Sequence, residues 1–405
     1  MYNVRRVSLG RTAQLDTLAH ACGELYSQTV VSYWRMVRKQ SLWLKPKHLM
    51  RWHTSPLLHA HTSDACVQSF FAALNSWRER RKTDPRARPP RKRKWYFRIE
   101  YKNTAMRHRD GLLTLSNGRG NTPLVLDWPW QTPKTLVIRW VGTQYEAIAT
   151  YRQTEADCQP IGTAVAGIDL GEIHLAVAHD GQRTFIANGR LLRAKRRYQN
   201  KLKGRPSSLI NTKKKGSHRR KRLVRSKRKQ LAKLKHQIRE IEHKQTSRLI
   251  TTLHERGVQR LVIGDVRDIR QDNDKGAVAN QKIHQWSAGK VRFYLTYKAE
   301  RHGMQAVLQD EHHTSKTCPV CGQRRKSVPK GRVFTCPHPA CRFSYHRDGV
   351  GAINIRAKYR GELGIPRVVG EMAPPTGLRY TAHVRCSSLP LDGHQQPEWR
   401  EAAGL

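Results

Sequence analysis

Apolar and polar positions alternate over residues 2–9, which predicts a strand. From residue 12 the period changes. Leu15, Leu18, Ala19, Cys22, Leu25 and Tyr26 recur at helical spacing, as do Val67, Phe70, Phe71, Leu74 and Trp77, so residues 12–83 read as helical. Pro85, Pro89 and Pro90 end that pattern. Residues 95–155 return to strand character in WYFRIEY, LLTLS, PLVLDW, TLVIRW and YEAIATY, with turn signals such as SNGRGN between them. A helical insertion therefore separates one N-terminal strand from a small barrel-like sheet. At residues 162–178 the near-continuous apolar run TAVAGIDLGEIHLAVA reads as strand, turn and strand of a buried sheet. Basic helices follow, interrupted over 204–217 by a stretch that reads as a hairpin or mobile loop. RLVIGDV (260–266) and MQAVLQDEH (304–312) are two more strands, with an amphipathic segment at 286–302 between them. Gly349 to Tyr359 reads as a helix with Asp348 at its start, and residues 361–405 as a peripheral, disordered tail.

Charge changes the picture first. The 405 residues carry 77 Lys and Arg against 30 Asp and Glu, a formal net charge of +47. A compact chain with that excess repels itself unless a polyanion neutralises it, and nucleic acid is the expected partner. The charge is clustered. Residues 190–236, which include Arg219, Arg220, Lys221 and Arg222, hold 21 Lys and Arg and no acid. A second cluster, which includes Arg91, Lys92, Arg93 and Lys94, runs directly into Trp95, Tyr96 and Phe97, a combination suited to stacking on unpaired bases. A solvated basic loop leading into an ordinary strand is the plainer reading of that second cluster. No apolar run approaches the roughly 20 residues of a membrane span, and MYNVRRVSLGR lacks the apolar core of a secretory signal. A cytoplasmic location, with nucleoid association when bound to DNA, is expected, and no membrane partner.

The cysteines add chemistry. Cys318 and Cys321 are spaced C-x2-C, and Cys336 and Cys341 C-x4-C. Four thiolates on two tight turns suit one structural Zn²⁺, with Zn–S about 2.3 Å. Gly322, just after the first pair, supplies the positive φ that such a turn needs. His338 lies inside the second pair, so a mixed ligand set stays open. Two disulfides are the alternative, disfavoured in a reducing cytosol. Cys22, Cys66, Cys158 and Cys386 are scattered along the chain and read as small buried or surface thiols.

Two carboxylates flank this knuckle in the sequence. Asp169 closes an apolar run, and Asp348 follows Cys341 by seven positions. Carboxylates from separate elements that meet at one sheet edge can grip two catalytic Mg²⁺ about 3.5–4 Å apart for phosphodiester hydrolysis. A turn-capping role is the plainer reading of Asp169 alone. The third carboxylate is ambiguous. Asp265 ends a strand, and Glu311 ends another, seven residues before Cys318. Asp268, Asp272, Asp274 and Asp310 are weaker candidates.

GIDLGEIHLAVA, LVIGDV, NQKIHQWSAGKVRFYLTYKAERHG, TSKTCPVCG and HRDGVGAINI together resemble the TnpB (OrfB) proteins of bacterial insertion sequences, relatives of Fanzor proteins and type V CRISPR effectors. The resemblance covers about 165–360 in specific motifs and extends loosely to the N-terminus. It implies an α/β fold plus a small β-barrel. The wedge barrel would comprise 1–10 and 86–160, with a helical recognition insertion at 11–85. An RNase H-like (RuvC) nuclease domain would span 161–315 and 343–360, with a zinc ribbon inserted at 316–342. It further implies a guide RNA from the transposon end and cleavage of double-stranded target DNA beside a short transposon-adjacent motif. Asp169 matches the first catalytic aspartate of the family and Asp348 the third. At the second position many relatives carry a glutamate just before the strand-ending aspartate; here Gly264 stands there, followed by Asp265. Some relatives carry a relocated glutamate shortly before the first zinc cysteine, a pattern that Glu311 fits, so Glu311 ranks above Asp265. Without a working second carboxylate the chain would resemble nuclease-inactive relatives that bind DNA as guided repressors.

Overall fold

The computed structural model describes residues 2–93, 97–152, 156, 158–267, 276–327, 329, 331–366 and 372–380. The chain forms two compact units, one of Met1–Thr154 with Lys215–Ala232 and one of Glu155–Lys214 with Lys233–Leu405.

In the first unit β1 (Tyr2–Leu9) is followed by α1 (Ala13–Gln40), α2 (Pro46–Trp52) and α3 (Ala60–Thr83). Then come β2 (Ile99–Lys102), β3 (Met106–Arg109), β4 (Leu112–Leu115), β5 (Leu124–Asp127), β6 (Thr135–Trp140) and β7 (Tyr145–Arg152). They make a four-stranded sheet in the order β1-β7-β6-β2 and a three-stranded meander, β3-β4-β5. The N-terminal strand pairs antiparallel with β7 from Tyr2↔Arg152 to Leu9↔Tyr145. Inward residues of both sheets, among them Leu113, Leu115, Ile138 and Ala147, share one core with Leu15, Leu18, Cys22 and Leu25 of α1.

The region expected to be helical throughout is three helices. Ser41 ends α1 in the left-handed region at φ 51°, and Pro46 opens α2 at its first turn, where a missing N–H costs nothing. Tyr33, Phe70 and Leu74 form a second core among these helices. The expected aromatic platform is corrected in part. Phe97 donates its backbone N–H to Ala19 O and packs against Tyr26 with ring centroids 4.6 Å apart, so its ring lies against a core rather than awaiting a base. Lys94, Trp95 and Tyr96 lie outside the described residues, as do Asp268, Asp272 and Asp274.

The second unit begins with β8 (Ala164–Asp169), β9 (His174–His179), β10 (Thr184–Asn188), α4 (Arg190–Asn211) and α5 (His218–Glu255), of which residues from 233 onward belong to it. It continues with β11 (Val258–Asp265), α6 (Ala277–Gln285), α7 (Ala288–Arg301), β12 (Gln305–Asp310), β13 (Val333–Thr335), β14 (Ser344–His346), α8 (Arg347–Tyr359) and β15 (Thr376–Leu378). Six strands form one sheet, in the order β12-β11-β8-β9-β10-β15. β11 runs parallel to both β8 and β12, while β9 is antiparallel to β8 and β10. Every residue of β9 is buried, as a strand covered on both faces requires.

Two expectations change here. The loop expected from Gly204 is helical to Asn211, with Pro206 inside α4 and Ile210 buried; the break shortens to 212–217. Thr376–Leu378, expected in the peripheral tail, pairs parallel with β10, and Leu378 enters the core. Three residues with one buried leucine are too short a run for periodicity to register. Residues 381–405 lie outside the described part.

Candidate functional site

Asp169 ends β8, a central strand of the six-stranded sheet. α8 lies directly on that strand, and a glycine allows it. A Cβ at Gly167 would overlap Ala352 O and stand 2.7 Å from Arg356 N. A second glycine faces the carboxylate itself: a Cβ at Gly351 would stand 2.7 Å from Asp169 Oδ2. The Asp169 side chain therefore lies over the start of α8, next to Asp348 in its first turn. Burial raises the Asp169 pKa well above the ordinary range, and the charges of Glu311 and Asp348 raise it further; Arg347 opposes them.

Glu311 follows β12 by one residue, in a turn fastened on both sides. Thr314 donates its N–H and its hydroxyl to Glu311 O at 3.1 and 2.8 Å. Asn354 of α8 donates Nδ2 to Thr314 O and to Thr317 O, both at 2.7 Å. Asn354 is buried, so this double bond ties the turn after Glu311 to the helix that carries Asp348. The Glu311 side chain occupies the space that a side chain at 264 would need, since a Cβ on Gly264 would overlap Oε1. Oε1 is buried with no hydrogen-bond partner among the described residues. Burial, then the charges of Asp265 and Asp310, push its pKa to about 7. A buried, unpartnered carboxylate oxygen beside two further carboxylates fits a donor set for divalent metal.

Asp265 differs. Arg267 Nε donates to its Oδ2 at 2.8 Å, Arg292 Nη1 stands 3.7 Å from Oδ1, and the hydrogen bond from Arg267 leads in holding its pKa below the usual value. Its charge is answered by arginines, and it is not among the charges that shift Asp169.

Asp348 is ringed by a histidine and two arginines. His174 Nδ1 lies 2.8 Å from Oδ2, Arg332 Nη1 donates to the same oxygen at 3.0 Å, and Arg347 Nε donates to Oδ1 at 3.2 Å. Burial alone would raise its pKa; the His174 hydrogen bond and both arginines outweigh it and bring the value down to about 2. His174, Arg332, Arg347 and Asn354 escape sequence reasoning, because nothing in their spacing reveals which carboxylate or turn they meet.

The four knuckle cysteines converge. Cys321 Sγ is 3.4 Å from Cys336 Sγ, and Cys318 Sγ is 3.9 Å from Cys341 Sγ. The edge of a tetrahedron with Zn–S near 2.3 Å is about 3.8 Å, so the thiols fit one zinc ion. All four ligand atoms lie within 4.8 Å of one another, and His338 is not in the group. Gly322 adopts φ 73°, the expected left-handed conformation. Arg91, Lys92 and Arg93 are exposed, with Arg93 5.9 Å above the Tyr26 ring. Arg219, Lys221 and Arg222 are exposed on α5, and Arg220 is half-buried.

A six-stranded mixed sheet with carboxylates gathered at one end of a central strand, and a four-cysteine knuckle tied to the helix packed on that strand, defines an α/β fold. The fold is similar to that in a Cas12f1–sgRNA–target DNA complex solved by cryo-electron microscopy, at TM-score 0.52 and 12% identity over 85% of this chain and 81% of that one. A family model described as "Probable transposase" (OrfB of IS605) matches residues 149–270, and one described as "Cas12f1-like, TNB domain" matches 289–355. A TnpB-like protein of Acidianus two-tailed virus is 31% identical over 153 residues, 38% of this chain and 31% of that protein. One of Methanocaldococcus jannaschii is 30% identical over 101 residues, 24% of this chain and 35% of that protein. Over these segments the chain is similar to TnpB-like proteins. It spans about a third of the length of these curated relatives.

Proposed function

We propose that the protein is an RNA-guided endonuclease that cuts double-stranded DNA beside a short adjacent motif, with a guide RNA drawn from a transposon end. The observation that carries this reading is Asp169, whose ionisation is opposed by both Glu311 and Asp348 while Glu311 Oε1 stays buried without a partner among the described residues. Asp169 and Glu311 resist ionising while Asp348 beside them stays charged, an arrangement that a divalent cation resolves. Asp169, Glu311 and Asp348 would hold two Mg²⁺, and Cys318, Cys321, Cys336 and Cys341 one structural Zn²⁺. When bound, the magnesium ions supply water activation and stabilisation of the leaving oxygen.

The rest falls to the protein's own groups. Asn354 keeps the Glu311 turn on α8, and Gly351 leaves room for the Asp169 carboxylate. The exposed arginines and lysines of α5 and of residues 91–93 grip phosphates without reading sequence. The sheet around Asp169 would be the RuvC-like nuclease domain, and the first unit would supply the wedge barrel and the helical recognition insertion. Among the described residues no helix is long and apolar enough to cross a membrane. The proposed place of action is the cytoplasm, on nucleoid DNA.

Sequencing the RNA that copurifies with the full chain tests the reading. A discrete structured RNA of uniform end is expected, and with it Mg²⁺-dependent cleavage of a matching duplex. Random fragments would point to a generic nucleic-acid binder. A uniform RNA with target binding and no cleavage would favour a guided repressor.

A further inference from the structure

His174 and His346 are the side chains that the proposed reaction leaves unused at its own doorstep. His174 begins β9, where it is 7% exposed, and His346 ends β14 as the residue capping α8. Their rings lie 5.1 Å apart, centroid to centroid. His174 Nδ1 is 2.8 Å from Asp348 Oδ2. His346 Nδ1 is buried with no hydrogen-bond partner among the described residues. One ligand atom from each of His174, His346 and Asp348 lies within 4.8 Å of the other two.

A buried imidazole nitrogen without a partner is costly, and a structure keeps one where something absent from the protein atoms fills the position. A hydrogen-bonding role can explain His174 but leaves His346 idle. Two imidazoles and a carboxylate converging on one point are a metal-ligand set. Its two nitrogen donors set it apart from an all-oxygen site: Mg²⁺ prefers oxygen, while imidazole favours first-row transition ions. Arg332 Nη1, 3.0 Å from the same Asp348 oxygen, supplies positive charge when no ion is there and competes with one that arrives.

We propose that His174, His346 and Asp348 form a site selective for a divalent first-row transition ion such as Mn²⁺ over Mg²⁺. The site shares Asp348 with the proposed nuclease centre and so rests on that reading for its role in cleavage. Its occupancy does not depend on that reading.

The test is Mn²⁺ binding to the full chain with its zinc in place and no nucleic acid, read by electron paramagnetic resonance. One site should bind Mn²⁺ about tenfold or more tightly than Mg²⁺ in competition, and its spin-echo signal should carry nitrogen modulation from directly bound imidazole. His174→Ala and His346→Ala should each weaken Mn²⁺ about tenfold or more and reduce that modulation, with zinc content unchanged. Arg332→Ala should tighten Mn²⁺ binding, which keeps the proposal testable if a histidine variant folds poorly. Unchanged Mn²⁺ affinity in both histidine variants, or a bound ion without nitrogen modulation, would overturn the site. The measurement uses no guide, target or turnover, so a protein that binds Mn²⁺ through nitrogen but never cuts guided DNA would sink the nuclease reading alone.

Discussion

Glu311 and Asp265 differ in what their carboxylates already touch. Two arginines answer Asp265, whereas Glu311 Oε1 is buried and has no partner among the described residues. Glu311→Gln removes charge at nearly constant size, and cleavage should fall by several orders of magnitude while RNA and target binding persist. Asp265→Asn should retain substantial activity, and a single-turnover comparison of the two variants decides between the residues. Their pH behaviour should differ as well. Glu311 titrates at about 7 in the folded chain, against roughly 4.3 for an ordinary glutamate in the unfolded one. Between those values the folded state holds the extra proton. The contribution of this group to stability is therefore complete below about pH 4 and is lost as pH rises through 7. In metal-free protein the melting temperature should drop from about pH 5 to about pH 8, and Glu311→Gln should flatten much of that fall. A wild-type slope that survives the substitution would assign the titration elsewhere.

Among the elements, α8 organises the most. It carries Asp348, receives Asp169 over Gly351 and fastens the Glu311 turn through Asn354. Gly167→Ala would drive a methyl group into Ala352 O, so α8 must move off β8. A loss of about 1–3 kcal/mol in chemical denaturation is expected, with a larger proportional loss of cleavage. The knuckle joins the same helix, because Asn354 also holds Thr317 beside Cys318. Cys336→Ser should release zinc and loosen the β13–β14 hairpin, and metal analysis beside hydrogen exchange over 333–346 would read both effects.

Much of this level is legible in sequence. The apolar runs ending at Asp169 and Asp265 and the C-x2-C spacing are local patterns, and periodicity or spacing reports them directly. What escapes is the meeting of distant positions. Nothing local tells that Glu311 fills the space beside Gly264, that His174 meets Asp348, or that Phe97 turns inward onto Tyr26. The short strand at Thr376–Leu378 escapes for another reason: its pairing partner, β10, lies nearly two hundred residues earlier.

At the scale of the whole molecule, charge dominates. A formal +47 should make nucleic-acid binding steeply salt-dependent. Replacing Arg219, Arg220, Lys221 and Arg222 with alanine should reduce the slope of log affinity against log salt by about 0.9 for each duplex phosphate left without its cation. An unchanged slope would show that this part of α5 is merely solvated. The tight fit between Gly264 and Glu311 bears on descent as much as on chemistry. A glutamate at 264 and one at 311 would compete for the same volume, so adding one while the other remains forces a side chain to shift. Losing one before gaining the other leaves the centre a carboxylate short. A lineage can therefore exchange the two positions only through a crowded or an inactive ancestor, and each arrangement, once reached, tends to be inherited intact.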